Sequence, residues 1–424
     1  MTESAPTRMA RSDGRIVAIL VAGALAVRII AAVAVERVAR GRATLCLFAD
    51  TNIYWQLAGA IRRGGPFVVD QYGVPHHALR TPGYPLFLSA CQLLFGATNT
   101  LAARFAQAIL GAACVPLVFG LTRRVLGGER GRRTAILAAI LAAFEPYWAA
   151  TSALLLSEAV FVPLMLAMLW GLARLWPPGE ASRPYPAAIL AGVAAGAAIL
   201  VKPSWALAPP ALFAAWLVAT RTRKSARVAA VAALALIATM SPWGVRNARV
   251  LGRFVPTALW AGASLYDGLN PSADGSSDMR FLARPEFRTL GEPEQDRVLR
   301  DSAMAFARAN PGRVASLAIV KAGHFWSPWP NAAEFRAAWT NLASAAIVLP
   351  IFGLLAIGAW DRRRDVRALT LLIGPLAYFF ALHLIFVSSI RYRIPAMVPA
   401  FGLVGAGWVK LGQRWMGNGK SGGG

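Results

Sequence analysis

Between Phe48 and Pro85 the chain gathers a carboxylate, two imidazoles, a guanidinium and several aromatic rings into one short stretch. Asp50 stands in F-A-D-T-N-I-Y-W-Q-L-A. His76, His77, Arg80 and Tyr84 follow in H-H-A-L-R-T-P-G-Y-P. A carboxylate beside several cations suits one chemistry well. A base takes a proton from an acceptor hydroxyl or amine while the cations hold a phosphate leaving group. Glu158, Lys202, Arg246, Arg391 and Arg393 are further ionisable residues at the edges of apolar sequence. Asp50 and Glu158 are therefore candidate catalytic residues. Arg80, Tyr84, His76, His77, Lys202, Arg246, Arg391 and Arg393 are candidates for holding substrate or its phosphate. Each also has a plainer reading: Asp50 as a helix N-cap, Glu158 as a first-turn acid favoured by the helix dipole, and the cations as lipid-headgroup anchors. Adjacent histidines point in different directions on most backbones, so a metal ion shared by His76 and His77 is poor geometry. No metal and no cofactor is expected. Glu145, His324 and His383 read as structural.

The setting of these residues is apolar. Of 424 residues 57% are hydrophobic and 15% charged, where a soluble domain carries about a quarter charged residues. Mean hydropathy is +0.50. The apolar residues come in blocks of about 17–25, the length that crosses a bilayer as a helix. The composition thus excludes the soluble enzyme classes and implies an all-α polytopic membrane protein. The net charge of +24 falls mostly in short loops between apolar blocks, as the positive-inside rule expects. No nucleic-acid-binding module accompanies it. Cys46, Cys91 and Cys114 have no C-x-x-C spacing, so neither a zinc site nor a disulfide framework is indicated. The first apolar block lacks a clear A-x-A cleavage site and reads as a retained helix. No P-loop or dinucleotide fingerprint occurs.

Arg8, Arg11 and Arg15 precede the first span, over residues 16–35, and place the N-terminus in the cytoplasm. The loop over 36–98 is then extracytoplasmic. Within it Pro85 to Phe95 is apolar but too short to span, and reads as re-entrant or interfacial. Five arginines between Arg123 and Arg133 mark the next loop as cytoplasmic. The same logic gives spans over 101–121, 134–148, 159–175, 187–201, 205–220, 228–240, 338–360, 368–387 and 396–409. The count is about ten (9–12), with both termini inside. A second long outer loop covers 244–337 and contains an amphipathic helix that begins near Pro293 and ends at Asn310-Pro311-Gly312. Three units result: a membrane module over 1–243 with the first outer loop, the second loop over 244–337, and C-terminal helices over 338–424. Trp and Tyr residues cluster at the outer helix ends as an aromatic belt. The glycine-rich end reads as disordered.

Six motifs fall on the outer side in chain order: F-A-D-T-N-I-Y-W-Q-L-A, R-T-P-G-Y-P-L-F, L-L-L-S-E-A-V-F, L-V-K-P-S-W, S-P-W-G-V-R-N and R-Y-R-I-P. Through them the chain resembles membrane glycosyltransferases of the GT-C superfamily, in the branch of the dolichyl-phosphate-mannose protein mannosyltransferases and the aminoarabinose transferases. The resemblance implies a GT-C-like helical bundle with interfacial helices in two long loops. It implies a sugar taken from a polyprenyl phosphate and passed, with inversion, to a protein, lipid or cell-surface glycan. Asp50 matches the acidic residue of the first loop that serves such enzymes as general base. Glu158 matches the second acidic position, where the family often has Asp or a paired acid. A single Glu there argues against a metal site built from both loops. The partners implied are the lipid-linked sugar, its acceptor and membrane lipids, with no nucleic acid. The implied location is the cell (inner or plasma) membrane, with the active site extracytoplasmic.

Other functions fit such a chain less well. A flippase for lipid-linked glycans should place broken helices and ionisable groups at mid-membrane, often in two repeated halves. No such repeat is visible, and the polar residues gather at one interface. A non-catalytic accessory subunit of a glycan-assembly complex would have no need of Asp50. A polymerase or ligase of lipid-linked oligosaccharide is closer in chemistry, and the P-G-Y-P and P-W-x-x-R-N motifs favour the transferase.

Overall fold

The computed structural model describes residues 5–42, 48–176, 183–331 and 337–418. Cys46 and the glycine-rich end lie outside them, as do the side chains of Arg8 and Arg11. Helix α1 (Ala5–Gly41) enters the bundle, and the first long loop follows. This loop holds α2 (Ala49–Arg62), a hairpin of β1 (Val69–Gln71) and β2 (Val74–His76), and α3 (Gly83–Phe95). The hairpin pairs Val69 with His76 in antiparallel register. Its two-residue turn is Tyr72-Gly73, both at positive φ, the geometry that matches the twist of the strands. It is the only sheet among the described residues. Helix α3 has 13 residues, about 20 Å at 1.5 Å per residue, shorter than the roughly 30 Å hydrocarbon core of a bilayer.

Next come α4 (Thr100–Leu126), α5 (Gly128–Phe144), α6 (Pro146–Ala153), α7 (Glu158–Arg174), α8 (Pro184–Val201), α9 (Ala208–Thr220) and α10 (Arg223–Leu251). Helices α5 and α6 follow one another with a bend of 46°. The bend follows from Pro146, which cannot donate to the turn before it, and Glu145 caps α6 by accepting from the amides of Tyr147 and Trp148. The second loop carries α11 (Ala261–Gly268), α12 (Pro285–Arg288), α13 (Glu292–Ala309) and α14 (Pro311–Phe325). It has a small core of its own around Phe281, Leu282, Phe287 and Leu299. The chain closes with α15 (Ala338–Asp361), α16 (Val366–Ala368), a π-turn over Leu369–Ile373, α17 (Gly374–Ile385) and α18 (Ile390–Asn418).

Seven described helices are long and apolar enough to cross a membrane, and the bent pair makes an eighth. The chain is a multi-pass, all-helical membrane protein. Of the other two expected spans, α7 has 17 residues and α9 only 13. One boundary differs from the sequence reading. S-P-W-G-V-R-N, expected at the start of the outer loop, lies inside α10, which runs through Pro242 to Leu251. Proline is tolerated in a membrane helix because neighbours re-satisfy the freed backbone groups. The helix ends at Gly252, in the left-handed region that glycine adopts without strain.

Both long loops lie together at one end of the bundle. Glu292 of α13 accepts from the amides of His77 and Ala78 at 2.7 and 2.9 Å, and Leu259 donates to the Ala78 carbonyl. At the other end Arg132 pairs with Asp13, and Lys410 with Asp361. Asp13 of α1 and Lys410 of α18 therefore lie at the end that holds the arginine-rich turns.

Candidate active site

Asp50 sits in the first turn of α2, but it is not the cap. Phe48 holds that position without a side-chain bond, and both Asp50 oxygens are taken by guanidinium groups. Arg80 donates through Nη2 to Oδ1 and Arg391 through Nη1 to Oδ2, each at 2.9 Å. Arg391, on the first turn of α18, also donates through Nε to Glu158 Oε1 at 3.1 Å. Lys202, at the end of α8, reaches the same oxygen at 3.0 Å. Asp50, Arg80, Glu158, Lys202 and Arg391 thus form one connected network from five separate segments. Two carboxylates face three cations, so the cluster carries one surplus positive charge.

The two carboxylates differ in access. The Glu158 side chain is 0% exposed, while that of Asp50 keeps 32%. Of the two acids, Asp50 is the one solvent reaches. Burial alone would raise the pKa of Asp50, but the charges of Arg80 and Arg391 and their hydrogen bonds outweigh it and hold the carboxyl well below the usual range. Glu158 Oε2 is buried and takes no donor from the described residues.

Local sequence explains the convergence. Thr51 donates to the Leu155 carbonyl at 2.9 Å, which ties the start of α2 to the turn before Glu158. At Gly83, a Cβ would lie 2.7 Å from the Leu200 carbonyl oxygen. Only glycine lets the R-T-P-G-Y-P turn, which carries Arg80, approach the end of α8, which leads into Lys202. The Arg80 guanidinium lies between two rings, 5.8 Å from the Tyr54 centroid and 4.9 Å from that of Trp260. Lys202 stands 5.6 Å above the Tyr392 ring, which stacks on His383 at 3.9 Å.

Of the residues expected from sequence to bind substrate, Arg80, Lys202 and Arg391 meet at Asp50 and Glu158, and the others contact elsewhere. Tyr84 is buried; its hydroxyl donates to Gln107 at 2.6 Å, and its ring packs edge-on against Tyr54. His76 bonds the Val74 carbonyl and Gln295, and His77 offers its backbone to Glu292 and Arg246. Arg246 donates to the carbonyls of His77 and Phe67. Arg393 donates to those of Phe325 and Ser327. Most of these residues staple the first loop to the second and to α10. Thr51, Tyr54, Trp260 and Tyr392 went unnoticed in the sequence as contributors. Thr51 and Tyr54 lie inside a motif, whereas nothing local distinguishes Trp260. No group of three His, Cys, Asp or Glu residues among those described is placed to hold a metal ion. A cavity lined by Gly120, Arg123, Arg124, Trp170 and Arg367 lies at the far end of α4 and is no part of this site.

Residues 77–245 match the family model described as dolichyl-phosphate-mannose-protein mannosyltransferase, somewhat under half of the chain. No curated protein sequence matches. The oligosaccharyltransferase of Archaeoglobus fulgidus in its apo form superposes with a TM-score of 0.55 at 14% identity, over 93% of this chain and 50% of that one. The archaeal oligosaccharyltransferase AglB from Archaeoglobus fulgidus, in complex with an inhibitory peptide and a dolichol-phosphate, gives 0.50 at 16% identity, over 90% and 50%. ArnT from Cupriavidus metallidurans bound to undecaprenyl phosphate aligns at 15% identity over 94% and 78%, with a TM-score of 0.44, too loose to argue from. At these identities the likeness establishes the fold. The chain spans about half the length of the oligosaccharyltransferases it matches.

Proposed function

Taking this chain as a GT-C superfamily membrane protein, we propose that it is an integral-membrane glycosyltransferase that moves a sugar from a polyprenyl-phosphate donor to an acceptor outside the cytoplasm. The observation that carries the reading is the surplus of cations around an ionised, reachable carboxylate. A buried ion network seldom adds stability over an apolar replacement, so three cations on two acids are better explained by an anionic ligand. The phosphate of the donor supplies that anion, with Arg80, Lys202 and Arg391 as its holders. The face that carries the site, opposite the arginine-rich short turns, is taken as the extracytoplasmic one, and both chain ends as cytoplasmic.

Asp50 accepts the proton of an acceptor hydroxyl or amine as that atom bonds to the anomeric carbon. The bond from that carbon to the phosphate oxygen breaks, and the electron pair leaves with the polyprenyl phosphate. Attack from the face opposite the phosphate inverts the anomeric centre. A carboxylate gripped by two guanidinium groups is a weak base. Donor phosphate competes for the same N–H groups, so donor binding loosens the grip and raises the basicity of Asp50 when it is needed. Glu158, buried and bonded to Arg391 and Lys202, fixes those two cations. An accessory or flippase role leaves Asp50 without a task.

Purified protein incubated with a panel of polyprenyl-phosphate sugars and membrane acceptors tests the reading. Release of free polyprenyl phosphate from one donor supports it. Scrambling of lipid-linked glycan between leaflets, with no release from any donor, would replace it with the flippase.

A further inference from the structure

The segment between α17 and α18 leads directly into Arg391 on the first turn of α18, and the second loop holds it at several points. Lys321, in the middle of α14, is fully buried. Its Nζ donates to the Ile385 carbonyl at 2.5 Å and to the Gly268 carbonyl at 2.9 Å. Gly268 is the last residue of α11 and Ile385 the last of α17. The ammonium therefore sits where two helix C-termini meet, and their carbonyls and dipoles favour a cation. Close approach is built in, because a Cβ on Gly268 would lie 2.8 Å from the Ile385 oxygen. Burial brings the Lys321 pKa down to about 8, opposed by the nearby Asp267 carboxylate. Further ties follow along the segment. Ser388 donates its amide to the Gly275 carbonyl. The Ile390 amide donates to Asn331 Oδ1 at 2.7 Å. Arg393 donates to the carbonyls of Phe325 and Ser327. All these partners lie between residues 268 and 331. The same loop supplies Trp260, which stacks on Arg80. Both guanidinium groups that grip Asp50 thus rest on the second loop.

We propose that the second long loop sets the geometry of the Asp50 site, and that Lys321 is a positioning residue that acts through Arg391. The proposal rests on the transferase reading given above. Without the ammonium, the Gly268 and Ile385 carbonyls lose their shared donor while remaining buried, a cost the segment relieves by moving. Arg391 then shifts relative to Asp50 and Glu158, and a displacement of about 1 Å is enough to slow chemistry severely. Donor binding suffers less, since Arg80 and Lys202 stand on other segments. A change in the second loop, such as acceptor docking there, would reach Asp50 by this route.

The test uses the full-length protein and two readouts. In kinetics, Lys321→Met is expected to lower kcat at least tenfold with donor KM within about twofold, and Lys321→Arg to restore most of the loss. The second readout needs no turnover. Ser388 is buried and its hydroxyl takes no partner among the described residues, so Ser388→Cys in a chain stripped of native cysteines is a quiet probe. Lys321→Met is expected to speed thiol labelling of that probe tenfold or more at unchanged Tm. If Lys321→Met fails to fold, Asn331→Ala, which is partly exposed, carries both arms. Unchanged kcat with unchanged labelling overturns the proposal. So does a parallel fall in kcat, donor affinity and Tm that Lys321→Arg does not rescue. A wild type that transfers nothing rejects the transferase reading, while labelling still reports whether Lys321 holds the segment.

Discussion

At the scale of single residues, Asp50 stands ionised between Arg80 and Arg391. Its pKa is depressed in the fold, so its contribution to stability is full above the ordinary carboxylate range and is lost only as pH falls through the lower, folded value. The same sign governs activity. In free enzyme kcat/KM should stay flat from about pH 7.5 down to 5, because Asp50 keeps its charge throughout. Arg391→Gln removes one guanidinium, and the acid limb should then move up toward the ordinary range. A limb near pH 6.5 in the wild type would assign the base to another group. The five residues of the network were legible in sequence because each stands inside a short motif at the end of an apolar block. Their pairing was not, since Arg391 lies 341 positions from Asp50. Lys321 was passed over, although a lone lysine in V-A-S-L-A-I-V-K-A-G is a signal in principle.

At the scale of elements, glycines and prolines set how closely segments approach. Gly83→Ala would drive a methyl group into the Leu200 carbonyl. Overpacking of this kind costs about 1–3 kcal/mol and here would also shift the turn that carries Arg80 relative to the end of α8. A lower Tm in detergent together with weaker donor affinity is expected; an unchanged Tm and affinity would mean that the turn has room. Helices α3, α8 and α13 follow their apolar and capping patterns and were readable within a few residues. The sequence misled at S-P-W-G-V-R-N, because Pro242 and Gly244 are stop signals in water and are tolerated in a membrane helix. The β1–β2 hairpin gave little warning, as its strands have three residues each.

At the scale of the whole molecule, charge separates the two ends of the bundle. The arginine-rich turns share one end with Asp13 and Lys410, and the two stapled loops share the other. A thiol introduced by Arg130→Cys should resist an impermeant reagent added to intact cells, and labelling there would invert the topology. Glu292 is the strongest staple between the loops, with two backbone donors at one carboxylate. Glu292→Ala should cost about 1–3 kcal/mol for the amides left buried, measured as a fall in Tm. Unchanged stability would mean the loops hold together without it. The multi-span helical fold and the loop-bearing face were legible from hydropathy and motif order, because bilayer thickness constrains helix length. How the second loop grips the first was not, since the main staple joins the Glu292 carboxylate to backbone amides more than 200 positions away, a pairing no local pattern encodes. The most direct measurement compares Asp50→Asn with the wild type for binding of polyprenyl phosphate and for transfer. The account predicts a folded variant that binds the lipid phosphate at least as tightly, since one negative charge is gone, and turns over at least a hundredfold more slowly. Transfer near the wild-type rate by that variant would contradict it.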